Sequence, residues 1–332
     1  MRKITAFLVL VAASVFAVQA QSQLKQFTMK SKLLGVEKTY TVYLPDGYKK
    51  SSENYPVLYL LHGAKGNDSS WAEEKRGNAQ NIADAEIAAG RVRKMIIVMP
   101  DARGIGEKNA GKNMGYFNVE NWPYEEFFFQ EFITHIDKKF RTIASKEGRA
   151  IAGLSMGGGG SFVYAQRHPE MFCAAYSTSG LLDHRYRPLL PSNYDIGWLW
   201  SVAQTSPVEY LRAATAEQLE KLRTVRWMLD CGDDDKIIFT NIDFFLEMKR
   251  EKVPVELRVR NGKHNWAFWR ESLPLILKHS FELTEILYGY FCTALRMASP
   301  HIRFVCCGLA ALFRTKIAAH YAFLGGRLGS FF

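Results

Sequence analysis

The chain contains few cysteines and no cysteine framework. Five cysteines are spread over 332 residues, and none of them forms a C-x-x-C pair. Cys173 and Cys231 fall in apolar runs, where an unpaired thiol behaves as a small buried hydrophobe. The pattern excludes a disulfide-stapled scaffold. Such a scaffold is not needed, because a hydrophobic content of 48% supplies a large core. We predict no metal site and no cofactor.

Acidic residues are missing from both ends of the chain. Residues 1–20 and 289–332 carry seven arginines and lysines and no aspartate or glutamate. The net charge of +10 therefore arises mostly at the ends, and residues 21–288 carry only about +3. A nearly neutral domain lacks the basic surface that nucleic-acid binding requires, so we predict no nucleic-acid partner.

Long hydrophobic runs are also missing. The apolar run at residues 4–18 is shorter than the about 20 residues that span a bilayer, so we predict no stable membrane insertion. This run follows the basic pair Arg2-Lys3 and ends at Val18-Gln19-Ala20, whose small residues suit cleavage. The order is typical of a secretory signal peptide. We predict that residues 1–20 are removed and that the protein is secreted or periplasmic.

The basic tail, residues 289–332, does not fit the pattern of the preceding residues. Its apolar run at 304–313 is too short to cross a membrane. We predict a poorly ordered tail, with a segment that lies on a membrane surface as the alternative. Residues 21–288 are then a single domain, and the sequence does not indicate its oligomeric state.

Short apolar runs alternate with helical periodicity through residues 21–288. Alternation of this kind predicts an α/β fold with a mostly parallel central sheet and helices on both faces. The predicted strands lie within residues 33–44, 57–61, 95–99, 150–154, 174–177, 225–229 and 255–259. The predicted helices are residues 81–89, 124–140, 156–167, 215–221, 242–252 and 266–288, the last of them broken at Pro274.

A serine occurs between a predicted strand and a predicted helix, in the segment Gly153-Leu154-Ser155-Met156-Gly157. This G-x-S-x-G pattern is a nucleophile elbow when a strand precedes it and a helix follows it. The flanking glycines have no Cβ to clash with neighbouring backbone. The helix directs free N–H groups at a developing oxyanion. We predict Ser155 as nucleophile and the Met156 N–H as one oxyanion donor.

A serine hydroxyl needs a general base, and the base needs an acid to orient it. In α/β hydrolases these partners follow the serine in the order acid, then histidine. His264 lies in a turn after the predicted strand 255–259 and is the predicted base. The predicted acid is Asp235, in the acidic segment after strand 225–229, and Asp233 and Asp234 remain alternatives.

A second oxyanion donor is expected after the predicted strand 57–61, where the chain continues His62-Gly63-Ala64. The glycine lets the backbone approach a substrate closely, so we predict the Ala64 N–H as this donor. His62 is expected to hold the turn.

Four short blocks follow one another along residues 25–288. They are Leu60-Leu61-His62-Gly63, Gly153-Leu154-Ser155-Met156-Gly157-Gly158, Cys231-Gly232-Asp233-Asp234-Asp235 and Gly262-Lys263-His264-Asn265-Trp266. Together they resemble the esterase D / feruloyl esterase group of α/β hydrolases. This group includes carbohydrate esterases that remove feruloyl or acetyl groups from plant xylan. It also includes S-formylglutathione hydrolases, tributyrin esterases and mycolyl transferases.

The resemblance implies an α/β-hydrolase fold and a serine carboxylesterase acting on feruloyl or acetyl esters of plant cell-wall polysaccharide such as xylan. An S-formylglutathione hydrolase is an alternative, but such enzymes act in the cytosol and the predicted signal peptide argues against that location. A general short-chain acyl esterase and an acyltransferase stay alternatives. A non-catalytic carbohydrate-binding module on the same fold is the alternative from another class, and it would require a broken triad.

Two long connections, residues 102–123 and 181–224, follow predicted strands and should border the site. Tryptophans in these connections and beside His264 offer flat faces for a phenolic or sugar ring. Alternatively, they anchor loop packing. The candidate substrate-binding residues are Trp122, Trp198, Trp200 and Trp266.

Overall fold

The structure, a computed structural model, describes residues 22–105, 114–183 and 205–283. Residues 1–20 and the basic tail lie outside the described residues, so the predicted signal peptide and the predicted domain boundaries stay predictions.

Ten strands occur in the described residues. They are β1 (Gln23–Lys30), β2 (Glu37–Leu44), β3 (Val57–Leu61), β4 (Ile96–Pro100), β5 (Asn118–Val119), β6 (Trp122–Pro123), β7 (Arg149–Leu154), β8 (Ala174–Thr178), β9 (Arg226–Gly232) and β10 (Val255–Arg260). Eight of them form one sheet in the order β1-β2-β4-β3-β7-β8-β9-β10, and β5 pairs with β6. The β1–β2 and β2–β4 pairs are antiparallel. The other six strands of this sheet are neighbours and run parallel to one another, in the order β4, β3, β7, β8, β9 and β10. This confirms the predicted mostly parallel sheet.

Eight α-helices surround this sheet in the described residues. They are α1 (Ala79–Ala88), α2 (Tyr124–Glu126), α3 (Ile133–Lys139), α4 (Met156–Arg167), α5 (Pro207–Ala213), α6 (Ala216–Leu222), α7 (Ile238–Arg250) and α8 (Trp266–Phe281). A π-helical segment, Phe127–Phe132, joins α2 to α3. A capping box begins α6, because the side chains of Thr215 and Gln218 each bond the other residue's backbone N–H.

The central strands are buried on both faces. Every residue of β3, β4, β7 and β8 is buried, as expected for a parallel sheet that helices cover on each side. One hydrophobic cluster includes Phe162 of α4 and Phe244 of α7. A second cluster includes Ala83 of α1 and Leu273 of α8. Helices therefore pack on both faces of the sheet.

The structure differs from the sequence-based expectation at one strand and at one helix break. The sequence pattern missed β1, because a half-exposed edge strand rich in Gln, Lys and Thr has no apolar run. The predicted break at Pro274 does not occur, and α8 continues through that proline to Phe281. A proline inside a helix costs about 3 kcal/mol. The fully buried Leu273, Ile276 and Leu277 offset that cost because they pack against the sheet.

Glycine at the start of α4 allows this helix to lie against β3. A Cβ on Gly157 would lie 2.6 Å from the carbonyl oxygens of Leu61 and His62. No side chain fits at that distance, and backbone carbonyls cannot move aside as a flexible side chain can. The position of α4, and of the serine that precedes it, therefore requires a residue without a side chain at Gly157.

We expect Gly157→Ala to lower the free energy of unfolding by roughly 3 kcal/mol, because the added methyl overpacks two backbone carbonyls. Denaturant unfolding measures the change. Gly90→Ala is the control, since its Cβ would meet nothing within 4 Å. Gly90 has a φ of 68°, so its replacement should cost only about 1 kcal/mol. Equal losses in the two variants would contradict the steric argument.

Candidate active site

Ser155 lies on a strained turn between β7 and α4, with a φ of 52° and a ψ of −116°. Its N–H donates to the Thr178 carbonyl at 3.0 Å, and its own carbonyl accepts from the N–H groups of Gly159 and Leu181. A non-glycine residue with positive φ persists only where its surroundings hold it. These three backbone bonds, together with the buried strand before it, hold the serine at the end of β7.

His264 connects Ser155 to Asp235. Its Nε2 lies 3.0 Å from Ser155 Oγ, and its Nδ1 lies 2.8 Å from Asp235 Oδ2 and 3.1 Å from Asp235 Oδ1. An ionised carboxylate can only accept hydrogen bonds, so Nδ1 must carry the proton. The Nε2 lone pair then faces the serine hydroxyl, which donates to it. This is the tautomer that a general base on Ser155 requires.

Asp235 is the carboxylate that the structure places on His264. Its side chain is buried, and Oδ1 also accepts from the Ile237 N–H at 3.1 Å. Burial by itself raises the pKa of Asp235, but the hydrogen bonds from His264 and Ile237 outweigh burial and hold that pKa below its ordinary value. Asp233 and Asp234 are exposed, and Asp233 Oδ1 accepts from the Gly262 N–H at 2.9 Å instead.

The loops that carry Asp235 and His264 touch through their glycines. A Cβ on Gly232 would lie 2.2 Å from the Gly262 carbonyl oxygen. The Asp234 N–H donates to that same oxygen at 3.0 Å. This contact brings the two loops close enough for the histidine and the carboxylate to meet.

An ion pair between a partly exposed arginine and a buried aspartate was not apparent from the sequence. Arg260, the last residue of β10, donates to Asp230 of β9 at 2.6 Å. Ser272 of α8 donates to the same Asp230 oxygen at 2.7 Å. Burial raises the pKa of Asp230 despite these partners. The pair links the ends of the two strands from which the Asp235 and His264 loops depart.

Ala64 and Met156 line the same cleft as Ser155. Met156 is the first residue of α4, where backbone N–H groups lack helical partners and the helix dipole favours negative charge. His62, before the Ala64 turn, is buried, and burial lowers its pKa. The Ala102 N–H donates to His62 Nε2 at 3.0 Å, so Nδ1 carries the proton and donates to the Gly63 carbonyl at 2.8 Å. His62 holds this turn, as expected from the sequence.

Three tryptophans form a wall beside His264. The Trp269 ring meets the His264 ring edge-on at 4.9 Å between centroids. Trp266 lies 5.3 Å from Trp269 and 5.4 Å from Trp71, also edge-on. The Trp71 indole N–H donates to the Leu61 carbonyl at 3.0 Å, which fixes this wall to β3. No pattern in the sequence indicates that Trp71 lies here, because Trp71 and His264 are far apart along the chain.

The cleft has a volume of about 300 Å³. Its lining residues are Gly63, Ala64, Lys65, Gly66, Ser70, Arg76, Leu154, Ser155, Met156, Leu181, Lys236, Ile237, His264, Trp266 and Trp269. Trp266 is among them, and its role in substrate binding stays a prediction.

The prediction for Trp122 is wrong. This side chain is 1% exposed and packs in the core, with Lys38 Nζ 5.4 Å from its ring centroid. A tryptophan in a long connection therefore anchors the packing here instead of facing the cleft. Trp198 and Trp200 lie outside the described residues.

Across 22–105, 114–183 and 205–283, no three histidine, cysteine or acidic side chains come together as a metal site. Within the same ranges, no helix has the length and apolar character that a membrane crossing demands.

The Esterase family model, described as "Putative esterase", matches residues 31–280. The chain belongs to this esterase family. Over 153 residues the esterase is 41% identical to the endo-1,4-beta-xylanase/feruloyl esterase of Xylanibacter ruminicola, a match that covers 45% of this chain and 20% of that enzyme. It is 26% identical to the acetyl esterase of Caldicellulosiruptor saccharolyticus over 272 residues, which cover 75% of this chain and 94% of that enzyme.

Solved structures also resemble the esterase. A ferulic acid esterase aligns with a TM-score of 0.72 and 41% identity, covering 79% of this chain and 98% of the other. An S-formylglutathione hydrolase of Staphylococcus aureus aligns with a TM-score of 0.62 at 21% identity, over 77% of this chain and 98% of the other, a likeness of fold alone. The α/β-hydrolase fold is confirmed. The match to the Xylanibacter enzyme spans about a fifth of that enzyme's length.

We expect Asp235→Asn to lower kcat of the esterase by about 10³- to 10⁴-fold, because an amide no longer selects the tautomer that leaves Nε2 free to accept the serine proton. Asp234→Asn is the matched control, because it removes a neighbouring exposed carboxylate, and kcat should stay within about twofold. Steady-state hydrolysis of 4-nitrophenyl acetate measures both variants. A larger loss in Asp234→Asn than in Asp235→Asn would exclude Asp235 as the orienting acid.

Proposed function

We propose that this esterase is a secreted serine carboxylesterase that hydrolyses feruloyl or acetyl esters on plant cell-wall polysaccharide such as xylan. The observation that carries the proposal is the hydrogen-bonded chain from Asp235 through His264 to Ser155, at the wall of an open cleft. A serine, a histidine and a buried carboxylate joined in this way are the groups that acyl transfer requires.

In the first half of the proposed reaction, Ser155 Oγ attacks the ester carbonyl carbon while His264 Nε2 accepts the hydroxyl proton. The Asp235 carboxylate stabilises the imidazolium that forms. The negative charge on the former carbonyl oxygen is held by the N–H groups of Met156 and Ala64. The carbon–oxygen bond to the alcohol then breaks, and the alcohol leaves with the proton from His264.

In the second half, water cleaves the acyl-enzyme. His264 Nε2 accepts a proton from the water as its oxygen bonds to the acyl carbon, and the same two N–H groups hold the oxyanion. Collapse of this intermediate breaks the bond to Ser155 Oγ, which recovers its proton from His264. The products are a carboxylic acid and the starting enzyme.

Similar proteins and the size of the cleft support the proposed substrate. The endo-1,4-beta-xylanase/feruloyl esterase is 41% identical over 153 residues, and the ferulic acid esterase is 41% identical over 79% of this chain. The acetyl esterase aligns over most of its own length. A cleft of about 300 Å³ is at the small end of ligand sites, which suits an acyl group with the polysaccharide outside. Trp266 offers an aromatic surface at its wall.

A substrate panel tests the reaction and the acyl group together. We expect hydrolysis of methyl ferulate or acetylated xylan, together with 4-nitrophenyl acetate. Ser155→Ala should lose at least about 10⁴-fold in kcat, because no other group replaces the nucleophile. Ser145→Ala, a hydroxyl bonded to Glu147 at an exposed position, is the control and should keep its activity.

The outcomes separate the alternatives. Full activity in Ser155→Ala would contradict the serine mechanism. Cleavage of 4-nitrophenyl esters alone, with no action on methyl ferulate or acetylated xylan, would indicate a general short-chain acyl esterase. Product analysis with added acceptor alcohols would identify an acyltransferase by its transfer products.

We also propose that the protein is exported, on the basis of Arg2-Lys3, the apolar run 4–18 and the small residues before Gln21. Expression of the full chain in a bacterial host should give a periplasmic or secreted product. Mass spectrometry should find an N-terminus at Gln21. Leu8→Arg interrupts the apolar run, so this variant should stay uncleaved in the cytoplasm. A cytoplasmic, uncleaved wild-type chain would contradict export.

A further inference from the structure

Within residues 22–105, 114–183 and 205–283, the lysines and arginines that line the cleft have no acidic counterpart among the lining residues. Lys65, Arg76 and Lys236 contribute to the described lining, and no aspartate or glutamate does. Asp235 lies behind His264, is buried and is bonded to it. An opening lined by one sign of charge raises the local concentration of ligands of the opposite sign.

Lys65 occupies a backbone position that favours glycine. Its φ is 62°, within a tight turn that the Gly66 N–H closes by donating to the Gly63 carbonyl at 3.0 Å. A lysine pays a conformational cost there that a glycine would avoid. Strain of this kind concentrates at functional sites. The turn also carries Ala64, the predicted oxyanion donor, and Lys65 lines the same cleft as Ser155.

Lys236 approaches the cleft from another loop, directly after Asp235. Within the described ranges, neither Lys236 nor Lys65 forms an ion pair with a carboxylate. Asp233 and Asp234 are exposed on the same loop, but they are not among the lining residues. Among the residues that the structure describes, no carboxylate therefore pairs with either lysine at the cleft.

Arg76 adds a third, weaker charge. It pairs with Glu73 at 3.2 Å, and both side chains are about two-fifths exposed. Its backbone is fixed, because Arg270 of α8 donates to the Arg76 carbonyl at 2.6 Å. The Glu73 carboxylate reduces the effect of the Arg76 guanidinium on a ligand.

We propose that the cleft selects esters that carry a carboxylate close to the ester bond, which Lys65 and Lys236 bind. This inference rests on the proposed function and specifies the substrate class. The carboxylate can belong to the alcohol, as in a uronic acid unit, or to the acyl group, as in a dicarboxylic acid half-ester. The bond that breaks is still the ester bond, and the carboxylate keeps its charge throughout.

Two matched ester pairs test the proposal and separate the two sources of the carboxylate. The alcohol-side pair is 4-acetoxybenzoate and neutral 4-acetoxybenzamide. The acyl-side pair is 4-nitrophenyl hydrogen adipate and neutral 4-nitrophenyl adipamate. The measured quantity is the ratio of kcat/KM between the anionic and the neutral ester. We expect the wild-type ratio in at least one pair to fall as salt rises from about 20 mM to about 500 mM, because ions screen exposed charges.

Charge-neutralising variants make the test specific to the cleft. Lys65→Gln and Lys236→Gln should each lower the anionic-to-neutral ratio by about three- to tenfold in the pair that is recognised, as expected for losing one nearby charge. Lys25→Gln removes the same charge from an exposed position on β1, outside the cleft lining. It should leave the ratio unchanged.

Several outcomes overturn the proposal. If Lys65→Gln and Lys236→Gln lower both members of a pair equally, the lysines stabilise the oxyanion and do not select the substrate. If the anionic-to-neutral ratio of kcat/KM changes neither with salt nor in the two lysine variants, the cleft does not select a carboxylate. If Ser155→Ala abolishes hydrolysis in that case, the proposed function still holds. If wild type cleaves no ester, the proposed function fails. Calorimetry then measures how tightly Ser155→Ala binds each ester and decides the inference. The anionic ester must bind more tightly than the neutral one, and this difference must disappear when Lys236→Gln is combined with Ser155→Ala.

Discussion

The arrangement of the site depends on a hydrogen bond to a carboxylate that the fold keeps buried. Asp235 would be costly to bury as a bare charge, because removing a carboxylate from water costs several kcal/mol. The donors on His264 and on the Ile237 backbone offset that cost, and they hold the carboxyl in its ionised form. The ionised form in turn selects the His264 tautomer whose Nε2 faces Ser155. The buried charge of Asp235 thus orients His264 and, through it, the hydroxyl group of Ser155.

Parallel strands explain why these groups can meet. Ser155 follows β7, Asp235 follows β9, and His264 follows β10, so all three leave the sheet at the carboxyl ends of its strands. Side chains from distant parts of the sequence therefore converge at one edge, as is general for open α/β sheets. Where the backbones must approach within van der Waals distance, at Gly157 and Gly232, glycine is present and a Cβ would collide with a carbonyl oxygen.

Backbone strain is concentrated where the site needs a fixed direction. Ser155 and Lys65 both have positive φ and both line the cleft. At Ser155 the strain presents the hydroxyl to His264. At Lys65 it fixes a turn that also carries Ala64. The surrounding buried strands and backbone hydrogen bonds hold these conformations, which isolated peptides of the same sequence would abandon.

Local patterns in the sequence determined the nucleophile, the base and the class of fold. The G-x-S-x-G segment, the alternation of apolar runs with helical periods and the order of Ser155 and His264 are all properties of neighbouring residues, so the sequence displays them directly. The carboxylate was a different case. Asp233, Asp234 and Asp235 are chemically equivalent in sequence, and only the contact between the Gly232 and Gly262 loops decided which of them reaches His264.

The tertiary structure also decided which aromatic and cationic side chains face the cleft. Trp122 is in the core, whereas Trp266 and Trp269 line the cleft. Lys65 and Lys236 share one opening although they lie in different loops of the sheet. Sequence spacing carries no information about such distances, because they are set by how strands pair and helices pack.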